Sequence, residues 1–195
     1  MNGVVLTKTS KTVWITGASS GIGAALAKAY AAQGWQVAIT ARRSEMLDVL
    51  KAFDGSIVPF ACDVTDREAM QACFESIIEA FGGLDLAIAN AGIYLPTKLS
   101  DFDPKLFDRS FDVNVNGTVN LLAPVIPYML EQGGGQIAIV SSVAGYSGLP
   151  TSAAYGATKA ALTNMGESLA LDLKKSGIHV SVIAPGFVDT PATAP

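Results

Sequence analysis

Apolar positions along this chain follow two alternating rhythms. Short runs with few polar residues recur at 11–16 (KTVWIT), 35–40 (WQVAIT), 56–61 (SIVPFA), 84–90 (LDLAIAN), 135–142 (GQIAIVSS) and 178–184 (IHVSVIA). They are short and largely apolar, and most carry β-branched residues, so each predicts a strand. The stretches between them predict helices over 21–34, ending at Gly34, and over 44–53, 65–82, 103–131 and 152–176. Thr65 stands three residues before Glu68, a capping-box pattern for the third helix. Pro124 and Pro127 predict that the stretch 103–131 bends or shortens. Strands with so few polar residues, each followed by a helix, predict an α/β fold: a doubly wound parallel sheet with helices on both faces. Such sheets bind ligands at the carboxyl ends of their strands.

Composition narrows the function. Of 195 residues, 50% are hydrophobic and 15% charged, which predicts one well-packed domain over 1–195. A net charge of -4, a pI of about 4.9 and the lack of a basic stripe argue against nucleic acid as a partner. The first ten residues are too short and polar for a secretory signal, and no run approaches the roughly 20 apolar residues that cross a bilayer. The expectation is a cytoplasmic protein without membrane contact. Cys62 and Cys73 show no CxxC spacing and no histidine cluster, which predicts reduced thiols and no metal site. His179, the only histidine, begins the last strand and predicts a structural role.

Candidate chemistry sits where strands end. The first strand runs into TGASSGIG (16–23). Gly17, Gly21 and Gly23 would let the backbone turn tightly against a pyrophosphate, and Ser19, Ser20 and Ile22 belong to the turn and helix start whose N–H groups face the anion. After the second strand the chain reads TARRSE, with Ala41 where a carboxylate would serve a ribose 2′-hydroxyl. Arg42 and Arg43 instead suit a 2′-phosphate, so NADP(H) is expected over NAD(H), with Arg42 the main contact. Tyr155 and Lys159 lie four residues apart and share one helical face. A phenol beside an ammonium is a candidate proton-transfer pair, because the positive charge favours the phenolate.

These motifs together resemble the short-chain dehydrogenase/reductase family, a Rossmann-like fold. The resemblance covers nearly the whole chain. It rests on Thr16 to Gly23, CDVT (62–65), NAG (90–92), NVNG (114–117), SSVAG (141–145), YGATK (155–159) and PG (185–186). Ala89 departs from it, where the family often carries a second Asn. The resemblance implies that Tyr155 is the general acid/base and that Lys159 assists it and binds the nicotinamide ribose. Ser142, with Ser141 its rival, would bond the substrate oxygen. Asn114 would position Lys159 through a water; Asn116 and Asn120 read as structural or exposed. It further implies that Asp63 and Val64 flank the adenine, and that Asn90, Ala91 and Gly92 line the cleft by backbone contact. Pro185, Gly186, Val188 and Thr190 would approach the nicotinamide carboxamide and diphosphate.

The expected activity is interconversion of a carbonyl and a secondary alcohol in a small molecule. A cofactor-binding scaffold or sensor without turnover, and an epimerase or dehydratase on the same fold, are the alternatives. Family members usually continue through a substrate lid and a further strand, both absent from this sequence. IHVSVIA has the continuous apolar character of an interior strand, so a longer polypeptide or a second chain is expected to cover it. The resemblance implies a homodimer or homotetramer through helices 103–131 and 152–175. Ala153, Ala154, Ala157, Ala160 and Ala161 would permit the close approach.

Overall fold

A computed structural model describes residues 10–98, 100 and 102–189. The first strand, β1 (Thr12–Thr16), is buried at all five positions. Its side chains alternate between two cores, as a period of two requires. Val13 and Ile15 join Val37, Ile39, Leu47 and Leu50 on one face. Trp14 points the other way, among Phe74, Ile77, Leu121 and Met129. The indole N–H is buried and must find a partner. It donates to Thr40 Oγ1 at 2.9 Å.

The remaining strands are β2 (Gln36–Thr40), β3 (Ile57–Pro59), β4 (Leu86–Ala89), β5 (Gly135–Val140) and β6 (Ile178–Ile183). They form one parallel sheet in the order β3-β2-β1-β4-β5-β6. Helices α1 (Gly21–Ala32) and α2 (Ser44–Lys51) cover one face; α3 (Arg67–Phe81), α5 (Gly117–Gln132) and α6 (Ala153–Leu173) cover the other. This is the doubly wound, Rossmann-like architecture expected. Chain direction across the sheet reverses between β1 and β4, so a crevice opens at their carboxyl ends.

Three local expectations are corrected. The cap of α3 is Asp66, whose side chain accepts from the Ala69 amide at 3.0 Å, and Thr65 instead donates its hydroxyl to Asp63. The stretch 103–131 divides at neither proline. It consists of α4 (Pro104–Phe111), a π-helical segment over Asp112–Asn116, and α5, which continues through Pro124 and Pro127. Strand β6 ends the sheet order, the edge that the sequence reading expects a longer polypeptide or a second chain to cover, with His179, Ser181 and Ile183 exposed. Of the alanines expected to face a partner, Ala154 is fully buried within the chain, while Ala153, Ala157 and Ala160 are exposed.

Candidate active site

The crevice is built first by the turn after β1. Gly17 has φ +68, and a Cβ there would lie 2.6 Å from the Ala91 Cα, so the β1 and β4 turns touch backbone to backbone. Asn90 locks that contact: its side-chain amide donates to the carbonyls of Thr16 (2.9 Å) and Gly17 (3.2 Å). The Thr16 hydroxyl accepts from the amides of Asn90 and Ala91. Gly23 differs from its expected role. It does not line the crevice; a Cβ would meet the Gly17 carbonyl oxygen at 2.5 Å and Asn90 Nδ2 at 2.6 Å. Its missing side chain lets α1 pack against the turn. The Ser20 side chain makes no capping bond, so the first amides of α1 are left to the crevice, where Ser20, Gly21 and Ile22 form the wall.

The other wall is the end of β5 with α6. Ser141 and Ser142 were rivals in the sequence, and the structure separates them. The Ser141 hydroxyl bonds the Lys159 carbonyl (2.8 Å) and the Thr163 hydroxyl (2.7 Å), tying β5 to α6. The Ser142 hydroxyl accepts from the Ala144 amide (3.2 Å) and lines the cavity beside the Tyr155 phenol. Burial pushes the Tyr155 phenol above its ordinary pKa, and the neighbouring Ser142 hydroxyl opposes that shift. Lys159 is 3% exposed, and its ammonium donates to the Val140 carbonyl at 2.8 Å, 5.5 Å from the centre of the Tyr155 ring. Burial lowers its pKa to about 8.

Asn114 lies in the π-helical segment and is fully buried. Its Oδ1 accepts from the Ile93 amide (2.7 Å), while its Nδ2 donates to the Ile93 carbonyl (3.1 Å) and the Thr158 hydroxyl (2.9 Å). Thr158 in turn donates to the Tyr155 carbonyl at 2.7 Å. The carboxamide therefore joins the segment after β4 to the helix of the tyrosine. A Cβ on Gly92 would lie 3.3 Å from Asn114 Oδ1 and 3.5 Å from Lys159 Nζ, so both groups border the same backbone. Asn120 is structural: it bonds the Val64 carbonyl and accepts from Arg67.

One cavity of about 600 Å³ joins these walls. Gly17, Ser19, Ser20, Gly21, Ile22, Arg42, Arg43, Asp63, Val64, Asn90, Ala91 and Gly92 line it, as do Ser142, Tyr155, Lys159, Pro185, Gly186 and Val188. Thr190 lies outside the described residues. Arg43 donates to Ser19 Oγ at 2.9 Å, and Arg42 stands 3.9 Å from Asp63. The sequence reading overlooked Tyr94, Leu149 and Pro150, which line the tyrosine end. Their loops carry no motif, so only their spatial convergence marks them. A glycine cradle, an uncapped helix start and two guanidinium groups at one end fit a dinucleotide phosphate chain. Among the described residues, no cluster of His, Cys, Asp or Glu could hold a metal ion, and no helix is long and apolar enough to cross a membrane.

A family model described as short chain dehydrogenase matches residues 11–195. An uncharacterized oxidoreductase of Staphylococcus epidermidis is 36% identical over 184 residues, covering 94% of this chain and 80% of that protein. One of Staphylococcus aureus is 35% identical over 188 residues, covering 95% and 81%. A short-chain dehydrogenase from Streptomyces avermitilis superposes with a TM-score of 0.89 at 33% identity, over 95% of this chain and 68% of that one. Levodione reductase does so with a TM-score of 0.89 at 31% identity, over 93% and 73%.

Proposed function

Because the chain belongs to the short-chain dehydrogenase/reductase family and is an oxidoreductase on that fold, we propose that it interconverts a carbonyl and a secondary alcohol using NADP(H), with Tyr155 as general acid/base. The observation that carries this reading is the convergence of Tyr155, Ser142 and Lys159 on one end of a cavity whose other end holds the uncapped start of α1 and two arginines.

Gly17, Ser19, Ser20, Gly21 and Ile22 would hold the diphosphate, and Arg42 with Arg43 the 2′-phosphate that favours NADP(H). Asp63 and Val64 would flank the adenine. The backbone of Asn90, Ala91 and Gly92, with Pro185, Gly186 and Val188, would border the nicotinamide half, and Tyr155 and Lys159 its ribose. The bound nicotinamide supplies or accepts the hydride.

The chain's own residues manage the proton. Ser142 bonds the substrate oxygen and orients it toward the phenol. A phenol is protonated at neutral pH and burial reinforces this, so Tyr155 is ready to give its proton to a carbonyl oxygen. A lysine with a pKa of about 8 is still mostly charged at pH 7 and stabilises the phenolate left behind. Asn114 holds the helix of Tyr155 in register and borders Lys159, where a water would complete the path to solvent. Exposed Phe111 and Val119, with Ala153, Ala157 and Ala160, fit a homo-oligomeric contact between the helices of two copies. The two free thiols, Cys62 and Cys73, fit the reducing cytoplasm.

Tyr155→Phe tests the assignment. NADPH oxidation with a panel of carbonyl compounds should fall at least about 100-fold, with NADPH affinity changed less than about threefold. Substantial turnover by the variant would refute the role given to Tyr155.

A further inference from the structure

Tyr94 stands edge-on to Tyr155, with ring centroids 5.4 Å apart and planes at 85°. That is a favoured aromatic arrangement, in which one ring restrains the other. Tyr94 is itself held. Its hydroxyl hydrogen-bonds the Thr151 hydroxyl at 2.7 Å. Thr151 has φ 58 and is the one non-glycine residue at positive φ among the described residues. For a β-branched side chain this is a strained conformation, kept where the surroundings over-determine it. Two contacts do so here: the Tyr94 bond, and the Thr151 carbonyl accepting from the Thr97 amide at 2.7 Å.

The segment is pinned from its other side as well. Ile93, next to Tyr94, has both its amide and its carbonyl bound by Asn114. Thr151 meanwhile lies four residues before Tyr155, and its successor Ser152 starts α6 by accepting from the Gly156 amide. The loop after β4 and the turn before α6 are thus strapped together beside the phenol.

We propose that Tyr94 is a positioning residue for Tyr155, fixed in place by its hydroxyl bond to Thr151. This rests on the role given above to Tyr155. The groups set against the Tyr155 ring are Lys159 from α6, Ser142 from the end of β5, and Tyr94. Burial is the larger influence on the phenol, and the Tyr94 ring supplies part of that burial. Removing the ring opens Tyr155 to water and moves its titration down.

The test is a pH titration of tyrosine labelled with 13C at Cζ, the Tyr155 signal being assigned by its loss in Y155F. In Y94A the Tyr155 midpoint should fall by about half a pH unit or more. Y94F keeps the ring but loses the tie, and T151G accepts the positive φ while removing the hydroxyl. Both should move the midpoint part of the way, and T151S should restore it. NADPH affinity, read by fluorescence, should stay within about threefold throughout, because neither residue belongs to the phosphate end. Midpoints of Y94F and T151G equal to that of the unmodified protein overturn the proposal, even if Y94A fails to fold. The titration needs no turnover. Unmoved midpoints in an active enzyme overturn the role of Tyr94 alone, and moved midpoints in an inactive one overturn the activity alone.

Discussion

The Lys159 ammonium donates to the Val140 carbonyl oxygen at 2.8 Å while only 3% of the residue reaches solvent. A charge so enclosed costs stability. Burial lowers the lysine pKa from 10.5 to about 8. Below pH 8 both the folded and unfolded chains carry the proton, so the folded state bears the full penalty. Between pH 8 and 10.5 the unfolded chain binds more protons, and stability from this group rises with pH. Lys159→Met should therefore be more stable at pH 7 by up to about 3 kcal/mol, and the gap should shrink as pH climbs through that window. Urea denaturation at pH 7 and pH 10 reads the difference. A gap that does not change with pH would show that the charge is not its source.

Arg42 reaches the cavity beside Asp63 at 3.9 Å, an exposed pair worth little on its own. Its guanidinium is therefore free to serve a phosphate. Arg42→Ala should weaken NADPH binding about 10- to 100-fold, the value of a charge-assisted bond, and leave NADH binding nearly unchanged. Fluorescence titration with each nucleotide checks this. Equal losses for both would remove the case for a 2′-phosphate site at this position.

The two adjacent serines should separate in opposite experiments. Ser142→Ala should lower turnover about 100-fold, with a stability loss of about 1 kcal/mol at most from the one long bond to the Ala144 amide. Ser141→Ala should cost about 1–2 kcal/mol of stability, because the buried Lys159 carbonyl and Thr163 hydroxyl lose a partner. Calorimetry and initial rates on the same preparations decide; the reverse pattern would exchange their roles.

Gly23→Ala should destabilise by about 2 kcal/mol or more, since its Cβ would press on the Gly17 carbonyl and the Asn90 amide. That collision also shifts the turn, so NADPH affinity should fall with stability. Thermal denaturation of the variant at wild-type temperature would contradict the packing role.

Much of this molecule is legible from residue order. Among the described residues all six strands fall within the apolar runs, because parallel strands packed under helices tolerate few polar side chains. The pair Tyr155 and Lys159 is legible because helical spacing is local. The break between α4 and α5 is not. It comes at Asp112–Asn116, where Asn114 reaches across to Ile93 and Thr158, rather than at either proline. No local propensity encodes such a bond.

What the sequence alone determined is whatever depends on neighbours along the chain: the alternation of strand and helix, the glycine turn, the shared face of phenol and ammonium, and the arginines after β2. Only the tertiary structure decided which serine faces Tyr155, why Gly23 must lack a side chain, and that Tyr94 and Thr151 brace the phenol across 57 residues of chain. Those outcomes depend on contacts between residues far apart in the chain. Such contacts have no period and no spacing to read until the sheet brings its strand ends together.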